Sequence, residues 1–234
     1  MPADLDEAYR VRQIFQEIET EARGTVVGYK IGLTTPIMQQ LCGVDEPVYG
    51  AIFENEVHHG RAELAARNHC RLGIETEIAL RLGEDLLPRG NGGSWRDRAV
   101  GAVESCMAAI ELLEDLSHDY KRLSAAAMVA GNVWNAGIIV GAPVSDWRRL
   151  DLAQLTVRLS INGREIGTGK GGDVMGNPLN ALAWLAETRA AAETPLRRGT
   201  IVMTGSMVPI QFPSVGDRAI VEVEGLGSAE LVVT

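Results

Sequence analysis

Glu75 and Glu77 stand two residues apart in Leu72-Gly-Ile-Glu-Thr-Glu-Ile-Ala-Leu80, where Leu72, Ile74, Ile78, Leu80 and Leu82 recur with period two. That period predicts a half-buried β-strand, and a strand projects residues i and i+2 from one face with Cα atoms roughly 7 Å apart. Two carboxylates side by side among apolar neighbours repel each other and lose hydration. A proton, an Arg or Lys, or a divalent cation relieves them. A third acid, Glu111, emerges from another apolar segment in which Ala109, Glu111 and Leu113 alternate, aiming it toward the same face from a neighbouring strand. Such a trio reads as a hard-cation site of oxygen ligands. The plainer alternative is the solvent-facing edge of a two-faced strand, where paired glutamates cost little. Lys30, among Val26, Val27, Ile31 and Leu33, divides the same way: an edge-strand gatekeeper, or a partly buried ammonium answering those acids. Glu54 closes the apolar run from Tyr49 and could reach a pocket from its loop.

The elements that must hold these groups are set by the pattern around them. Thr25 to Leu33 reads as a strand carrying Lys30, and Thr35 caps a short helix that opens on Pro36 and stops at Gly43. Before it, residues 4–22 carry Leu5, Ala8, Val11, Ile14, Phe15 and Ile18 at helical spacing, an amphipathic helix expected to pack on the rest of the chain. After a turn-rich loop at 84–96, Val100, Val103, Met107 and Ile110 predict a helix over Ala99–Ala109. The short strand bearing Glu111 comes next, with Glu114 and Asp115 at its solvated end. Gly131–Val140 is another strand. Leu155, Val157, Leu159 and Ile161 alternate up to Asn162-Gly163, a type I′ hairpin signal. The glycine-rich stretch Thr168–Gly176 is not a P-loop, because Gly171 rather than Ser or Thr comes after Lys170. It delivers the chain to a helix capped by Asn177 and opened by Pro178, whose N-terminal amides suit a carboxylate. Thr200–Thr204 is a buried strand ending at Gly205-Ser206, and 219–223 with 229–233 form a final hairpin.

Together these predict an α+β fold: a mixed, largely antiparallel rolled sheet or barrel with surrounding helices. The chain is expected to be one domain over 1–234, a helical N-terminal portion (1–60) packed on a β-rich core (61–234). A net charge of −9 over 234 residues argues against nucleic acid and offers no basic membrane patch. Cys42, Cys70 and Cys106 are odd in number and widely spaced, which predicts free thiols in a reducing compartment. His58, His59, His69 and His118 sit in no metal-ligand or catalytic spacing and read as surface or satisfied histidines. The acidic N-terminus lacks an apolar h-region and no run of eighteen apolar residues exists, so a cytoplasmic protein is expected.

Five segments stand in an order that carries a family likeness: Gly28-Tyr-Lys30-Ile-Gly-Leu-Thr34, the Glu75-Thr-Glu77 strand, Ala109-Ile-Glu111, Gly176-Asn-Pro178 with the helix after it, and Thr204-Gly205. The chain resembles the 2-keto-4-pentenoate hydratases and 4-oxalocrotonate decarboxylases of the fumarylacetoacetate hydrolase superfamily, from about Gly24 to its end. The resemblance implies a fold like the fumarylacetoacetase C-terminal domain and a Mg²⁺ or Mn²⁺ site formed by Glu75, Glu77 and Glu111. It further implies Lys30 and Glu54 as catalytic groups, with Thr34, Asn177, Thr204 and Gly205 contacting substrate. The implied activity is hydration of a 2-hydroxy-2,4-dienoate to a 4-hydroxy-2-oxo acid in aromatic-compound degradation. Decarboxylation of the 4-oxalocrotonate type, acylpyruvate C–C hydrolysis and a non-catalytic partner subunit are the alternatives. A homo-oligomer is implied, as is a complex with a pathway enzyme. The chain departs from the family pattern in two places. Glu114-Asp115-Leu116 stands where Asp-Ser-Arg or Asp-Asn-Arg is common, and Gly176-Asn177-Pro178 where Gly-His-Pro is.

Overall fold

The computed structural model describes residues 2–88, 92–116 and 124–234, so His118 lies outside the described residues. In chain order the elements are α1 (Leu5–Arg23), β1 (Val26–Gly32), α2 (Pro36–Cys42), β2 (Val48–Phe53), β3 (Val57–His59), β4 (Arg61–Leu64) and β5 (Leu72–Leu82). Next come α3 (Trp95–Ala102), β6 (Val103–Glu114), α4 (Ala125–Ala130), β7 (Asn135–Val140), β8 (Thr156–Ile161) and β9 (Arg164–Lys170). The chain ends with α5 (Pro178–Ala191), β10 (Ile201–Met203), β11 (Arg218–Val223) and β12 (Gly227–Val233).

Two sheets form: seven strands in the order β2-β1-β10-β5-β6-β7-β3, curled into a half-barrel, and five in the order β4-β12-β11-β8-β9. Most neighbours run antiparallel; β1 with β10, β3 with β7, and β4 with β12 are parallel. The mixed α+β rolled sheet expected from the sequence is present. Because β1, β2 and β3 are built into the larger sheet, residues 1–60 do not separate from the rest as a helical portion.

The axis of the larger sheet is the β5/β6 pair, in register from Leu72↔Glu114 through Glu75↔Glu111 to Arg81↔Ser105. Its two faces have opposite characters. Ile74, Ile78, Leu80, Ile110 and Leu112 point into the main core with Leu159, Val221 and Leu231 of the second sheet and Leu182 and Leu185 of α5. The opposite face carries Ala79, Met107 and Ala109, which pack with Ile52, Ile138, Val140 and Met203 in a separate small core. The acids project from this second face, by strand parity.

Local chemistry sets the ends of the elements. Asp4 caps α1 by accepting from the Glu7 N–H at 2.8 Å, and Thr35 caps α2 with Pro36 at its first position. Asn162 and Gly163 take φ of 54° and 78°, the left-handed pair that the β8–β9 hairpin needs. Three expectations need correction. The predicted helix over 99–109 ends at Ala102, and β6 runs twelve residues. Both faces of β6 are buried, and a continuous apolar run carries no period to tell strand from helix. The strand expected from Gly131 begins at Asn135, after a turn in which Asn132, Val133 and Trp134 all have φ between 51° and 58°. Finally, α1 buries Ala8 and Arg12 with Tyr9 partly covered, while most of the rest of its aliphatic stripe stays exposed. The Arg12 guanidinium lies 4.3 Å from the Tyr49 ring centre, while Ile14 and Ile18 are 60 % and 67 % exposed.

Candidate metal centre

On the acid-bearing face, Glu75 and Glu111 sit directly opposite each other across β5 and β6, and Glu77 lies one step down the strand. One carboxylate oxygen from each lies within 4.8 Å of the others. Glu77 and Glu111 are fully buried. The Lys30 ammonium reaches in from β1 and stands 2.7 Å from a Glu111 oxygen, itself 3 % exposed. Gly205, just past β10, donates its N–H to Glu77 at 2.8 Å and fixes one oxygen of that carboxylate.

The charge balance is poor as it stands. Three carboxylates face one ammonium: Lys30 meets one Glu111 oxygen as a close ion pair, while one Glu77 oxygen and the other Glu111 oxygen have no hydrogen-bond partner among the described residues. Buried carboxylate oxygens without donors are costly. Burial, reinforced by Glu111 and opposed by Lys30, pushes the Glu75 carboxyl up to about 7. Burial and then Glu111 push Glu77 well above the carboxylate range. At Lys30 burial works downward, but attraction to Glu111 and Glu75 outweighs it, so the net direction is up and the ammonium stays charged. A hard divalent cation, which takes oxygen ligands and supplies two positive charges, fits the unfilled oxygens.

The surroundings are close-fitted. Gly205 has φ +123°, and a Cβ there would stand 2.7 Å from the Thr34 hydroxyl and methyl. Only glycine can donate to Glu77 while Thr34 packs against it. The Asn132 side chain grips β2 by accepting from the Ala51 N–H at 2.7 Å and donating to the Ala51 carbonyl at 2.9 Å. This grip holds the left-handed turn and its Val133 over Gly32, beside Lys30.

Of the residues singled out in the sequence, the fold brings together Glu75, Glu77, Glu111, Lys30, Gly205 and Thr34. It does not bring the other three. Glu54 is exposed and accepts from the Thr25 hydroxyl at 3.1 Å. It lies four residues along β2 from Gly50, the cross-strand partner of Lys30. Thr204 is fully buried, with its hydroxyl donating to the Ile78 carbonyl. Asn177 accepts from the Leu179 N–H at 2.9 Å and caps α5, which packs on the other face of the sheet. Asp115, expected in solvent, is 3 % exposed and accepts from Arg71 at 2.8 Å. Sequence order ranks residues along a strand but does not say which way a loop side chain turns, which separates the first group from the second.

The fold and the cluster define a class: rolled-sheet proteins with three carboxylates gathered on the inner face. Residues 45–234 match the fumarylacetoacetate (FAA) hydrolase C-terminal family, and the chain belongs to that family. It is 32 % identical over 225 residues to a 2-keto-4-pentenoate hydratase of Paraburkholderia phymatum, covering 96 % of this chain and 84 % of the relative. A 2-hydroxyhexa-2,4-dienoate hydratase of Comamonas testosteroni is 30 % identical over 232 residues, covering 98 % and 86 %. Among solved structures, the 4-oxalocrotonate decarboxylase of Pseudomonas putida G7, complexed with magnesium and adipate, superposes with a TM-score of 0.89 at 27 % identity. The match covers 99 % of this chain and 86 % of that one. Among the described residues no helix is long and apolar enough to cross a membrane.

Proposed function

We propose that this chain is a divalent-metal-dependent hydro-lyase that adds water to a 2-hydroxy-2,4-dienoate, giving a 4-hydroxy-2-oxo acid. The observation that carries it is the glutamate trio gathered at one centre, Glu77 and Glu111 fully buried, with Lys30 paired to Glu111 at its edge. The hydratase relatives at 30–32 % identity support the substrate class.

Glu75, Glu77 and Glu111 would hold Mg²⁺ or Mn²⁺. When bound, the cation would neutralise the trio and polarise the 2-oxo oxygen. The chain's own groups then have separate tasks. Gly205 N–H and Thr34 keep Glu77 aimed at the centre. Among the described residues Lys30 is the titratable group at the cluster that is not a carboxylate, and it carries a proton from the 2-hydroxyl to the far carbon of the dienol before water adds at C4. Ala79, Met107 and Met203 seal the lower end against bulk water, so the charges act through a weakly screening medium. Glu54, at the surface, is left out of the water-activating role that the family likeness gave it.

The test is product analysis by NMR with 2-hydroxypenta-2,4-dienoate, with Mg²⁺ and with chelator. Formation of 4-hydroxy-2-oxopentanoate that stops with chelator and returns with Mg²⁺ supports the reading; no water addition under either condition refutes it. The second reading is decarboxylation, favoured by the structural likeness to the decarboxylase. Release of CO₂ from 4-oxalocrotonate without water addition to any dienoate would establish it instead.

A further inference from the structure

The sheet beside Lys30 is bare of side chains. Along β1 the next residue on the same face is Gly32, and across the pair to β2 Lys30 faces Gly50. The turn at 132–134 fills that room. A Cβ on Gly50 would stand 2.5 Å from the Asn132 carbonyl oxygen. One on Gly32 would stand 3.0 Å from Val133 Cγ1 and 3.9 Å from Lys30 Nζ, so a Val133 methyl and the ammonium share the space above Gly32. The turn is held there against its own backbone preference. Asn132, Val133 and Trp134 have φ of 55°, 51° and 58°, the left-handed region that a β-branched residue disfavours most. Asn132 is tied by its two hydrogen bonds to Ala51, the neighbour of Gly50. Val133 is tied by burial with Leu33 and Val48. Strain of this kind persists where the surroundings over-determine it.

We propose that this turn is a fixed wall that keeps Lys30 dry and aimed at Glu111, with Asn132 and Val133 as positioning residues for the proton carrier. For its kinetic consequence the inference rests on the proposed proton-carrying role of Lys30. A lysine ammonium is strongly hydrated and rides on a flexible four-carbon stem, so beside a glycine-bare stretch of sheet it would swing and take up water. The Val133 methyl occupies that room and the Asn132 carbonyl covers Gly50. The ammonium is left 3 % exposed and 2.7 Å from Glu111. Little reorganisation then remains for the moment of proton transfer, and the charges act through a weakly screening medium. This task accounts for a valine at φ 51°: glycine would take that backbone freely but would leave the space above Gly32 open.

Reductive methylation of the Mg²⁺-saturated chain, read by peptide mass spectrometry with the exposed Lys170 as reference, tests the wall separately from the chemistry. Wild-type Lys30 should stay protected. Val133→Gly and Asn132→Gly both suit a left-handed backbone, so neither adds strain. Each should raise Lys30 labelling relative to Lys170 by about tenfold or more. Each should also lower kcat for dienoate hydration by about tenfold or more while KM and Mg²⁺ affinity are kept. Met128→Ala, in the same small core but on α4, should lower Tm without either change. Methylation of wild-type Lys30 at the Lys170 rate, protection that survives both glycine variants, or equal unmasking in Met128→Ala overturns the wall. Unmasking with kcat unchanged, or with the loss carried by KM, overturns the positioning role. If Lys30→Met also turns over normally, the failure lies in the proposed role of Lys30 and not in the wall.

Discussion

Removing the divalent cation should make the protein lose stability as pH rises, the reverse of most carboxylate effects. The folded-state pKa of Glu75 is raised from 4.5 to about 7, so folding must hold a proton that the unfolded chain has released. The folded form binds more protons between those values, and stability is present below pH 4.5 and lost as pH rises toward 7. A shift of about 2.5 units at 1.36 kcal/mol each gives about 3 kcal/mol, and Glu77, shifted the same way, acts in the same direction. For a chain of this length 1 kcal/mol moves Tm by roughly 2–4 °C, so in chelator Tm should be about 6–12 °C lower at pH 8 than at pH 5. Saturating Mg²⁺ should raise Tm far more at pH 8 than at pH 5, because ligands must be deprotonated to bind. Differential scanning fluorimetry across pH, with chelator and with Mg²⁺, measures both effects, and Glu75→Gln should flatten the chelator curve. A Tm in chelator that is flat or rises between pH 5 and 8, with no pH-dependent gain from Mg²⁺, would refute the reasoning.

The other substitutions act on single contacts. Lys30→Met removes the ammonium that stands 2.7 Å from Glu111. Metal affinity measured by calorimetry should be kept while turnover falls about 10²–10⁴-fold; normal turnover would remove Lys30 from the mechanism. Gly205→Ala places a Cβ at φ +123°, 2.7 Å from Thr34. It should cost about 1–3 kcal/mol in thermal unfolding and weaken metal binding through the displaced N–H on Glu77.

Much of the site was legible because strand parity is a strict code. Period-two hydrophobics put Glu75 and Glu77 on one face, and the alternation around Glu111 put it on a neighbouring strand; the register Glu75↔Glu111 completes that reading. The length of β6 was hidden because burial on both faces erases the period. The reach of Glu54, Thr204 and Asn177 depends on where a loop or strand end points, which their order in the chain does not encode. Asp115, at the end of an acidic pair, read as solvated, yet it is buried against Arg71. The aliphatic stripe of α1 had a helical period but no indication that Arg12 would take the buried side against Tyr9.

The central claim is that Glu75, Glu77 and Glu111 together hold one divalent ion, and Mn²⁺ binding monitored by electron paramagnetic resonance tests it most directly. One Mn²⁺ per chain is predicted, competed by Mg²⁺, with affinity weakened by about tenfold or more in each of Glu75→Gln, Glu77→Gln and Glu111→Gln. Mn²⁺ binding left unchanged by all three substitutions, or no stoichiometric binding to the wild-type chain, would contradict it.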